Sequence, residues 1–162
     1  MEKPRVLIVM GSRSDMPAME GCMAQLDEMH VGYEVRVLSA HRTPDAVLEL
    51  SRNAKERGIQ VIIAAAGGAA HLAGVLASST PLPVIGIPIQ TSALGGMDSL
   101  LSTVQMPAGV PVATVAIGKA GAKNAAILAC QMIGLADPAV QKEVEAFKEA
   151  QAKKVLADSI VE

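Results

Sequence analysis

The sequence predicts one α/β domain, in which a parallel sheet of five strands lies between two layers of helices. Short apolar runs alternate with segments of helical spacing along the 162 residues. This alternation is typical of right-handed crossovers between parallel strands. The chain is 51% apolar, which is enough for a continuous core and excludes a disordered chain. We therefore expect a single domain over residues 1–162, with its core in residues 1–134 and a C-terminal helix in residues 135–162.

The start of the chain predicts a strand, a helix and a second strand. Residues 5–10 form an apolar run, as expected of a strand buried on both faces. Residues 15–29 follow with helical spacing, and His30 and Gly32 mark the end of that helix. Residues 33–38 alternate between apolar and polar side chains and predict the second strand.

The rest of the core predicts three more helix-strand pairs and a final helix. Thr43 is expected to cap the second helix, with Pro44 at its first position and Gly58 just past its end. Gly67-Gly68 opens the third helix, and Asp98 is expected to cap the fourth. The remaining elements are a strand at 61–65, a helix at 67–78, a strand at 84–87, a helix at 99–105, a strand at 113–117 and a helix at 122–133.

A C-terminal helix is predicted beyond this complete α/β unit. Asp137-Pro138 is a strong helix start, and Val140, Val144 and Phe147 repeat at helical spacing through a charged segment. A finished domain does not need this apolar stripe for its own core. The helix could lie back on its own domain, but we expect it to pack on another subunit.

Composition narrows the class of function. The net charge of −2 comes without a basic stripe, so neither nucleic acid nor an anionic membrane surface is an expected partner. Tyr33 and Phe147 are the only aromatic residues, which excludes a base-stacking platform. No apolar run approaches the roughly 20 residues of a membrane span, and no signal peptide is recognised, so we expect a cytoplasmic protein. Cys22 and Cys130 fit neither a metal spacing nor a disulfide framework and are expected to be reduced thiols.

Three loops rich in polar or small residues follow the first three predicted strands. The first loop is residues 11–15 (GSRSD), the second is residues 39–42 (SAHR) and the third is residues 66–71 (AGGAAH). Ligands of open parallel sheets bind at the carboxyl ends of the strands, near the point where the strand order reverses. With the strand order 2-1-3-4-5, these loops are neighbours on one rim, and residues 90–92 and 118–119 would close the same pocket.

The first loop has the ingredients of an anion cradle. Ser12 and Ser14 supply hydroxyls, Gly11 supplies a flexible backbone and Asp15 stands at the start of a helix. Neither a P-loop ending nor a GxGxxG pattern is present, so nucleoside triphosphate and dinucleotide binding lack their usual motifs. Plain helix capping is the alternative interpretation of this loop taken alone.

The second loop places two potential cations at a helix start. A cation there costs about 0.3 to 1 kcal/mol unless an anion offsets it. Arg42 presents a planar fork of donors that suits a phosphate, although a salt bridge to a neighbour is equally open. His41 can exchange a proton near neutral pH, and Ser39 lies at the same strand end.

The third loop is almost free of side chains. Gly67, Gly68, Ala69 and Ala70 let the backbone approach a ligand closely and donate amides to it, and His71 follows them. Helix capping with close packing is the alternative. Since the sequence has no metal cluster, redox motif or Ser-His-Asp order, the remaining chemistry is cofactor-free proton transfer on a phosphorylated small molecule.

Together the three loops, with the block of residues 80–107, closely resemble the class I N5-carboxyaminoimidazole ribonucleotide mutases, the phosphoribosylaminoimidazole carboxylase catalytic subunit family of purine biosynthesis. The resemblance runs from about residue 5 to residue 134. It implies a flavodoxin-like sheet and a homo-octamer. It also implies an isomerase that moves a carboxylate from the exocyclic nitrogen of its ribonucleotide substrate to ring carbon four, without metal, biotin or ATP.

The resemblance also implies roles for individual residues. His41 would be the general acid/base, with His71 beside it, and residues 67–72 would form the wall around the base and the migrating carboxylate. The implied substrate-binding residues are Ser12, Ser14, Asp15, Ser39, Arg42, Gly67, Gly68, Ala69, Ala70 and Leu72.

Two other functions fit parts of the same pattern. A class II relative would carboxylate 5-aminoimidazole ribonucleotide directly with carbon dioxide, but that class carries a different polar sequence in its third loop. A non-catalytic sensor of a phosphorylated ligand would need the anion cradle and no proton transfer. Product formation from the carboxyamino substrate distinguishes the three.

Overall fold

The structure, a computed structural model that describes residues 3–160, confirms the predicted α/β architecture. Five parallel strands form one sheet in the order β2-β1-β3-β4-β5, the flavodoxin-like order. The strands are β1 (Val6–Met10), β2 (Tyr33–Val37), β3 (Val61–Gly67), β4 (Val84–Ile89) and β5 (Ala113–Thr114). The helices are α1 (Met16–Glu28), α2 (Pro44–Asn53), α3 (Leu72–Ala77), α4 (Met97–Val104), α5 (Lys119–Gly134) and α6 (Pro138–Ala157).

The sheet is buried on both faces at its centre. Val6 of β1 pairs with Tyr33 of β2 on one side and with Val61 of β3 on the other. Every residue of β1 and of β4 is buried, which explains why these strands read as continuous apolar runs and not as alternating ones. The edge strand β2 is only half-buried, in keeping with its mixed composition.

Two hydrophobic layers cover the sheet. One layer joins the sheet to α1, α5 and the start of α6, and the other joins it to α2 and α3. Cys22 and Cys130 are free thiols inside the first layer, as predicted. Burial raises the pKa of the Cys22 thiol to about 12 and that of Cys130 to about 11, so both stay protonated and unreactive.

Several predicted helix starts shift in the structure. Helix α3 begins at Leu72 and not at Gly67-Gly68, because β3 continues through Gly67 and Gly68 adopts a φ of +69°. Gly96, with a φ of +97°, occupies the N-cap position of α4, so Asp98 lies inside the first turn and is not the cap. Strand β5 is limited to two residues, and α5 begins at Lys119.

The start of α6 is held by Asp137. Its Oδ1 accepts from the backbone amides of Ala139 at 3.0 Å and Val140 at 3.4 Å, so it caps the helix as predicted. Its Oδ2 lies 2.7 Å from Nη1 of Arg5, the residue that precedes β1. The hydrogen bond from Arg5, with those from the two amides, holds the pKa of the Asp137 carboxyl below its usual range.

The predicted stripe of α6 faces its own domain. Val140 and Val144 are buried in the α1–α5 layer, and the ring of Phe147 lies 5.5 Å from Nζ of Lys123 on α5. The expectation that this stripe is left for another subunit is therefore wrong, because α5 of the same chain covers it. The exposed apolar residues of the C-terminal segment lie further on, at Val155, Leu156 and Ile160. No helix within residues 3–160 has the length and apolar character needed to cross a bilayer.

We predict that Asp137→Asn makes stability less dependent on acid pH. Asparagine still caps a helix but cannot carry the charge that pairs with Arg5. A depressed folded-state pKa gives stability that is present above the unfolded-state pKa and is lost as pH falls through the folded-state value. Urea unfolding between roughly pH 2 and 7 should therefore show a lower midpoint for the variant at neutral pH and converging midpoints in acid.

The matched control for this prediction is Glu149→Gln on the same helix. Glu149 pairs with Lys153 at 2.7 Å, but both side chains are well exposed, so we expect little change at any pH. If Asp137→Asn follows the wild-type protein at every pH, the ion pair with Arg5 does not stabilise the fold.

Candidate active site

A cavity of about 610 Å³ opens where the three loops meet at the carboxyl ends of the strands; we call it the rim cavity. Its walls come from the first three loops and from the loop that follows β4. The residues that line it are Gly11, Ser12, Ser14, Asp15, Ser39, Ala40, His41, Arg42, Ala66, Gly67, Ala69, Leu72, Ile89, Gln90, Thr91 and Ser92. Among the expected site residues, Gly68, Ala70 and His71 do not line this cavity, although His71 contacts His41, which does.

The first loop presents a hydroxyl pair and a buried carboxyl. Ser12 accepts from the backbone amide of Ser14 at 3.3 Å and from its hydroxyl at 2.8 Å, which closes a single 3-10 turn. Asp15 is 9% exposed at the end of this turn. Burial raises the pKa of its carboxyl, and hydrogen bonds from the Ser12 backbone and the Ser14 side chain oppose that rise. The carboxyl is therefore an acceptor held at the edge of the rim cavity.

The second loop leaves its guanidinium without a carboxylate. Arg42 donates from Nε to Ser39 Oγ and from Nη2 to the carbonyl of Gly11, both at 3.3 Å. No carboxylate within residues 3–160 lies within salt-bridge distance of it. The alternative of a salt bridge to a neighbour is thus not realised in this part of the chain. A cation at the amino end of α2 with only neutral partners favours an anionic ligand.

Thr43 acts differently from the predicted helix cap. It occupies the N-cap position of α2, yet its side chain makes no capping bond to the helix. Instead its Oγ1 donates to the carbonyl of Ser39 and accepts from the amide of Ser39, each at 3.0 Å. This reciprocal pair closes the second loop into a tight turn that carries His41 and Arg42.

The two histidines meet at the rim. His41 Nε2 lies 2.8 Å from His71 Nδ1, and the rings are nearly perpendicular at 84° with centroids 5.0 Å apart. A hydrogen bond between two ring nitrogens needs one of them protonated and the other free. The contact therefore requires that one of the two facing nitrogens donates and the other accepts.

The fourth wall of the rim cavity is held by Thr91 and Asp98. Thr91 Oγ1 lies 2.8 and 3.0 Å from the two carboxylate oxygens of Asp98 and accepts from the amide of Gly96 at 3.3 Å. Asp98 is therefore used to hold the loop after β4 and not to cap α4. Sequence reasoning placed Thr91 on the rim but missed this partner, because the bond depends on how the loop folds back onto α4.

The set of groups defines what the rim cavity can bind. It offers a guanidinium, a carboxyl and serine hydroxyls from the first two loops. The third loop adds a wall of small residues, but its amides at Gly68, Ala70 and His71 already donate to Ser99, Gly68 and Ala69, so the expectation that they are offered to a ligand is not met. These groups suit a phosphate joined to a polyol, and the paired imidazoles beside them suit proton transfer. Within residues 3–160 no group of three or more His, Cys, Asp or Glu side chains is placed to hold a metal ion.

Comparisons with known proteins show which family the chain resembles. The chain matches the AIR carboxylase family over residues 5–154. It is 56% identical over 153 residues to the N5-carboxyaminoimidazole ribonucleotide mutase of Thermotoga maritima, covering 94% of this chain and 88% of that one. It is 54% identical over 157 residues to the enzyme of the same name from Bacillus subtilis, covering 97% of each. The solved structure of Treponema denticola PurE superposes with a TM-score of 0.87 at 29% identity, covering 96% of each chain.

We predict that Arg42→Ala weakens binding of ribose 5-phosphate by about 10- to 150-fold. A hydrogen bond to a charged group contributes about 1.5 to 3 kcal/mol, and each 1.4 kcal/mol is about tenfold in affinity. Titration calorimetry measures the change. Arg13→Ala is the matched control, since Arg13 belongs to the same rim but does not line the cavity. An unchanged affinity in Arg42→Ala would place the phosphate elsewhere.

Proposed function

The chain belongs to the AIR carboxylase family, and from this membership we propose that the rim cavity is the active site of a mutase. The chain converts N5-carboxyaminoimidazole ribonucleotide to 4-carboxy-5-aminoimidazole ribonucleotide, a step of purine biosynthesis toward inosine monophosphate. We place this activity in the cytoplasm. The observation that carries the assignment to this cavity is the 2.8 Å contact between the ring nitrogens of His41 and His71, next to the guanidinium of Arg42.

The substrate phosphate is assigned to the first two loops. Arg42 has donors directed toward both loops and no carboxylate partner in the described chain, so a phosphate there completes its charge pairing. The hydroxyls of Ser12 and Ser14 can donate to the same group, and Ser39 keeps the guanidinium in place. The carboxyl of Asp15, at the edge of the rim cavity, accepts from the hydroxyls of the ribose.

The base is assigned to the third loop. Gly67, Ala69 and Leu72 line the rim cavity and leave room for the imidazole ring and the migrating carboxylate. Gly68 and Ala70 do not line the cavity, and the hydrogen bond between them shapes the loop. None of these residues has a polar or charged side chain. The wall can therefore hold carbon dioxide close to the ring and exclude the water that would hydrate it.

His41 carries the proton in both halves of the reaction. Its imidazolium gives a proton to the exocyclic nitrogen as the nitrogen–carbon bond breaks, and the bonding pair stays on nitrogen while carbon dioxide leaves. The electron pair of ring carbon four then attacks the carbon of carbon dioxide, and the neutral imidazole takes the proton from carbon four. Proximity in a closed cavity replaces any activating group.

His71 supports this exchange through its contact with His41. The hydrogen bond to His71 Nδ1 orients the ring of His41 and fixes which ring nitrogen carries a proton at each stage. His71 thereby keeps the imidazole of His41 in the tautomer that can return the proton. Its loss should be milder than the loss of His41.

We propose that the assembled enzyme is a homo-octamer, as the family resemblance implies. The feature that supports self-association is an exposed apolar face on α4, where Met97, Leu101 and Val104 recur at helical spacing and are between 44% and 54% exposed. The C-terminal segment adds Val155 and Leu156, each 70% exposed. Exposed apolar residues of this kind are typical of an interface between subunits.

We predict that the double change Leu101→Glu and Leu156→Glu lowers the mass of the assembly without unfolding the subunit. Charges on an apolar interface are costly to bury, whereas both positions are exposed in the single chain. Light scattering gives the mass and circular dichroism the fold. An intact octamer in this variant would show that neither face lies between subunits, and a monomeric wild-type protein would reject the octamer itself.

The experiment that tests the function compares the two possible substrates. Purified protein should convert the carboxyamino ribonucleotide rapidly, with the change in ultraviolet absorbance that accompanies carbon–carbon bond formation. Turnover of 5-aminoimidazole ribonucleotide with bicarbonate, and none with the carboxyamino compound, would assign the direct carboxylation instead. Ligand-dependent stabilisation with no product from either would indicate a sensor.

We predict that His41→Asn loses catalysis while keeping the assembly and substrate binding. Asparagine forms hydrogen bonds but does not titrate near neutral pH, and a general acid/base contributes about 100- to 10,000-fold. Because one imidazole serves both half-reactions, the loss should fall in the upper part of that range. Turnover of the carboxyamino substrate gives the rate, and calorimetry checks binding.

His30→Asn is the matched control for this prediction. His30 lies outside the rim cavity with a φ of 54°, a conformation that asparagine tolerates well, so we expect wild-type turnover. If His41→Asn keeps more than about a tenth of wild-type turnover, the loss is smaller than the usual general acid/base effect. Another group would then carry the proton.

A further inference from the structure

The hydroxyl of Ser99 joins two elements of the active site from behind. Ser99 lies on α4, is completely buried and does not line the rim cavity. Its Oγ donates to the carbonyl of Ile89, the last residue of β4, at 2.6 Å. The same Oγ accepts from the amide of Gly68 in the third loop at 2.9 Å. One hydroxyl thus uses its single proton and a lone pair to connect β4, α4 and the third loop.

The third loop depends on hydrogen bonds for its position because it has little side chain to pack. Gly68 adopts a φ of +69°, and a Cβ added there would meet no atom within 4 Å. Within the loop, the amide of Ala70 donates to Gly68 at 2.8 Å and the amide of His71 donates to Ala69 at 2.9 Å. These bonds curl the loop upon itself, but they do not tie it to the rest of the domain.

Two other hydroxyls of α4 reach the same loop with longer contacts. Ser102 Oγ lies 3.2 Å from the carbonyl of Gly68 but 2.5 Å from that of Asp98 in its own helix. Thr103 Oγ1 lies 3.4 Å from the carbonyl of Ala70 but 2.7 Å from that of Ser99. Each hydroxyl has one proton, and both donate it mainly to carbonyls of α4. Ser99 is therefore the principal tie between α4 and the third loop.

We infer that Ser99 is a positioning residue of the reaction, which acts by holding the third loop so that His71 meets His41. This inference rests on the proposed function and names a residue that never touches the substrate. The contact between the two imidazoles spans two separate loops, so it survives only if both loops are fixed to the domain. Thr43 closes the second loop onto Ser39, and Ser99 fixes the third.

The test is Ser99→Ala, alone and combined with His71→Asn. A displacement of about 1 Å can cost on the order of 100-fold in rate, so we expect kcat to fall by about 10- to 100-fold in the single variant, with a much smaller change in KM. In the His71→Asn background the same change should cost no more than about twofold, because the residue through which Ser99 acts is already lost. Losses that multiply in full would overturn the inference, as would an unchanged kcat.

Ser51→Ala is the matched control. Ser51 is also completely buried and its Oγ donates to the carbonyl of Leu76 at 2.8 Å, tying α2 to α3 away from the rim cavity. A comparable loss of stability with wild-type kcat is expected. An equal loss of kcat in this variant would show that any buried hydroxyl has the same effect, which overturns the inference.

Two further measurements test the inference if Ser99→Ala does not fold or if the protein has no mutase turnover. If Ser99→Ala does not fold, Ser99→Cys retains a weak donor and acceptor at the same place, and an intermediate kcat supports the inference while a wild-type kcat overturns it. Acylation of His71 by diethylpyrocarbonate, followed by mass spectrometry without substrate, should be faster in Ser99→Ala. An unchanged rate overturns the inference even if the wild-type protein is active. A faster rate in a protein without mutase turnover would instead reject the proposed function alone.

Discussion

The pairing of β1 with both β2 and β3 is the interaction on which the site depends. The ladder continues past the strands, since the amide of Leu38 donates to Met10 and the amide of Gly11 donates to Ala65, both at 2.9 Å. The first three loops therefore leave the sheet at the same level and side by side. Residues separated by long stretches of chain, such as Asp15, Arg42 and Gly67, face one cavity because of this register.

Electrostatics gives that cavity its preference for an anion. The guanidinium of Arg42 stands at the amino end of α2 with a hydroxyl and a carbonyl as partners, so its charge is not neutralised within the described chain. Holding it there costs about 0.3 to 1 kcal/mol, which a bound phosphate offsets. Burial acts in the opposite direction on the carboxyl of Asp15, because it disfavours the charged form and raises its pKa, while hydrogen bonds from the Ser12 backbone and the Ser14 side chain oppose that rise.

The sequence predicted the sheet order and the three loops because both follow from local patterns. Apolar runs mark buried strands, and the crossover rule then leaves few ways to arrange them. The contact between His41 and His71 could not be predicted in this way, since it joins residues 30 apart through the rotamers of two side chains. Ser99 was read only as the start of a helix, because its partners, Ile89 and Gly68, belong to other elements.

The incorrect expectation that the apolar stripe of α6 is left for another subunit has the same origin, because contacts between distant elements do not follow from local patterns. The spacing of Val140, Val144 and Phe147 correctly predicts an apolar face, but spacing does not say which surface covers it. The small residues of α5 leave room for that face within the same chain, and Asp137 anchors the helix to Arg5 at the start of β1.

The inner and outer sides of helix α4 have different roles in the proposed function. Its inner side carries the hydroxyl of Ser99 to the third loop, and its outer side exposes Met97, Leu101 and Val104. Because Ser99 and the exposed residues belong to one short helix, a displacement of α4 at its outer side would also move the inner hydroxyl. The same eight residues, Met97–Val104, therefore connect the proposed subunit interface with the placement of the paired imidazoles. A buried hydroxyl is well suited to this link, because its two hydrogen bonds lose strength steeply when their geometry is disturbed.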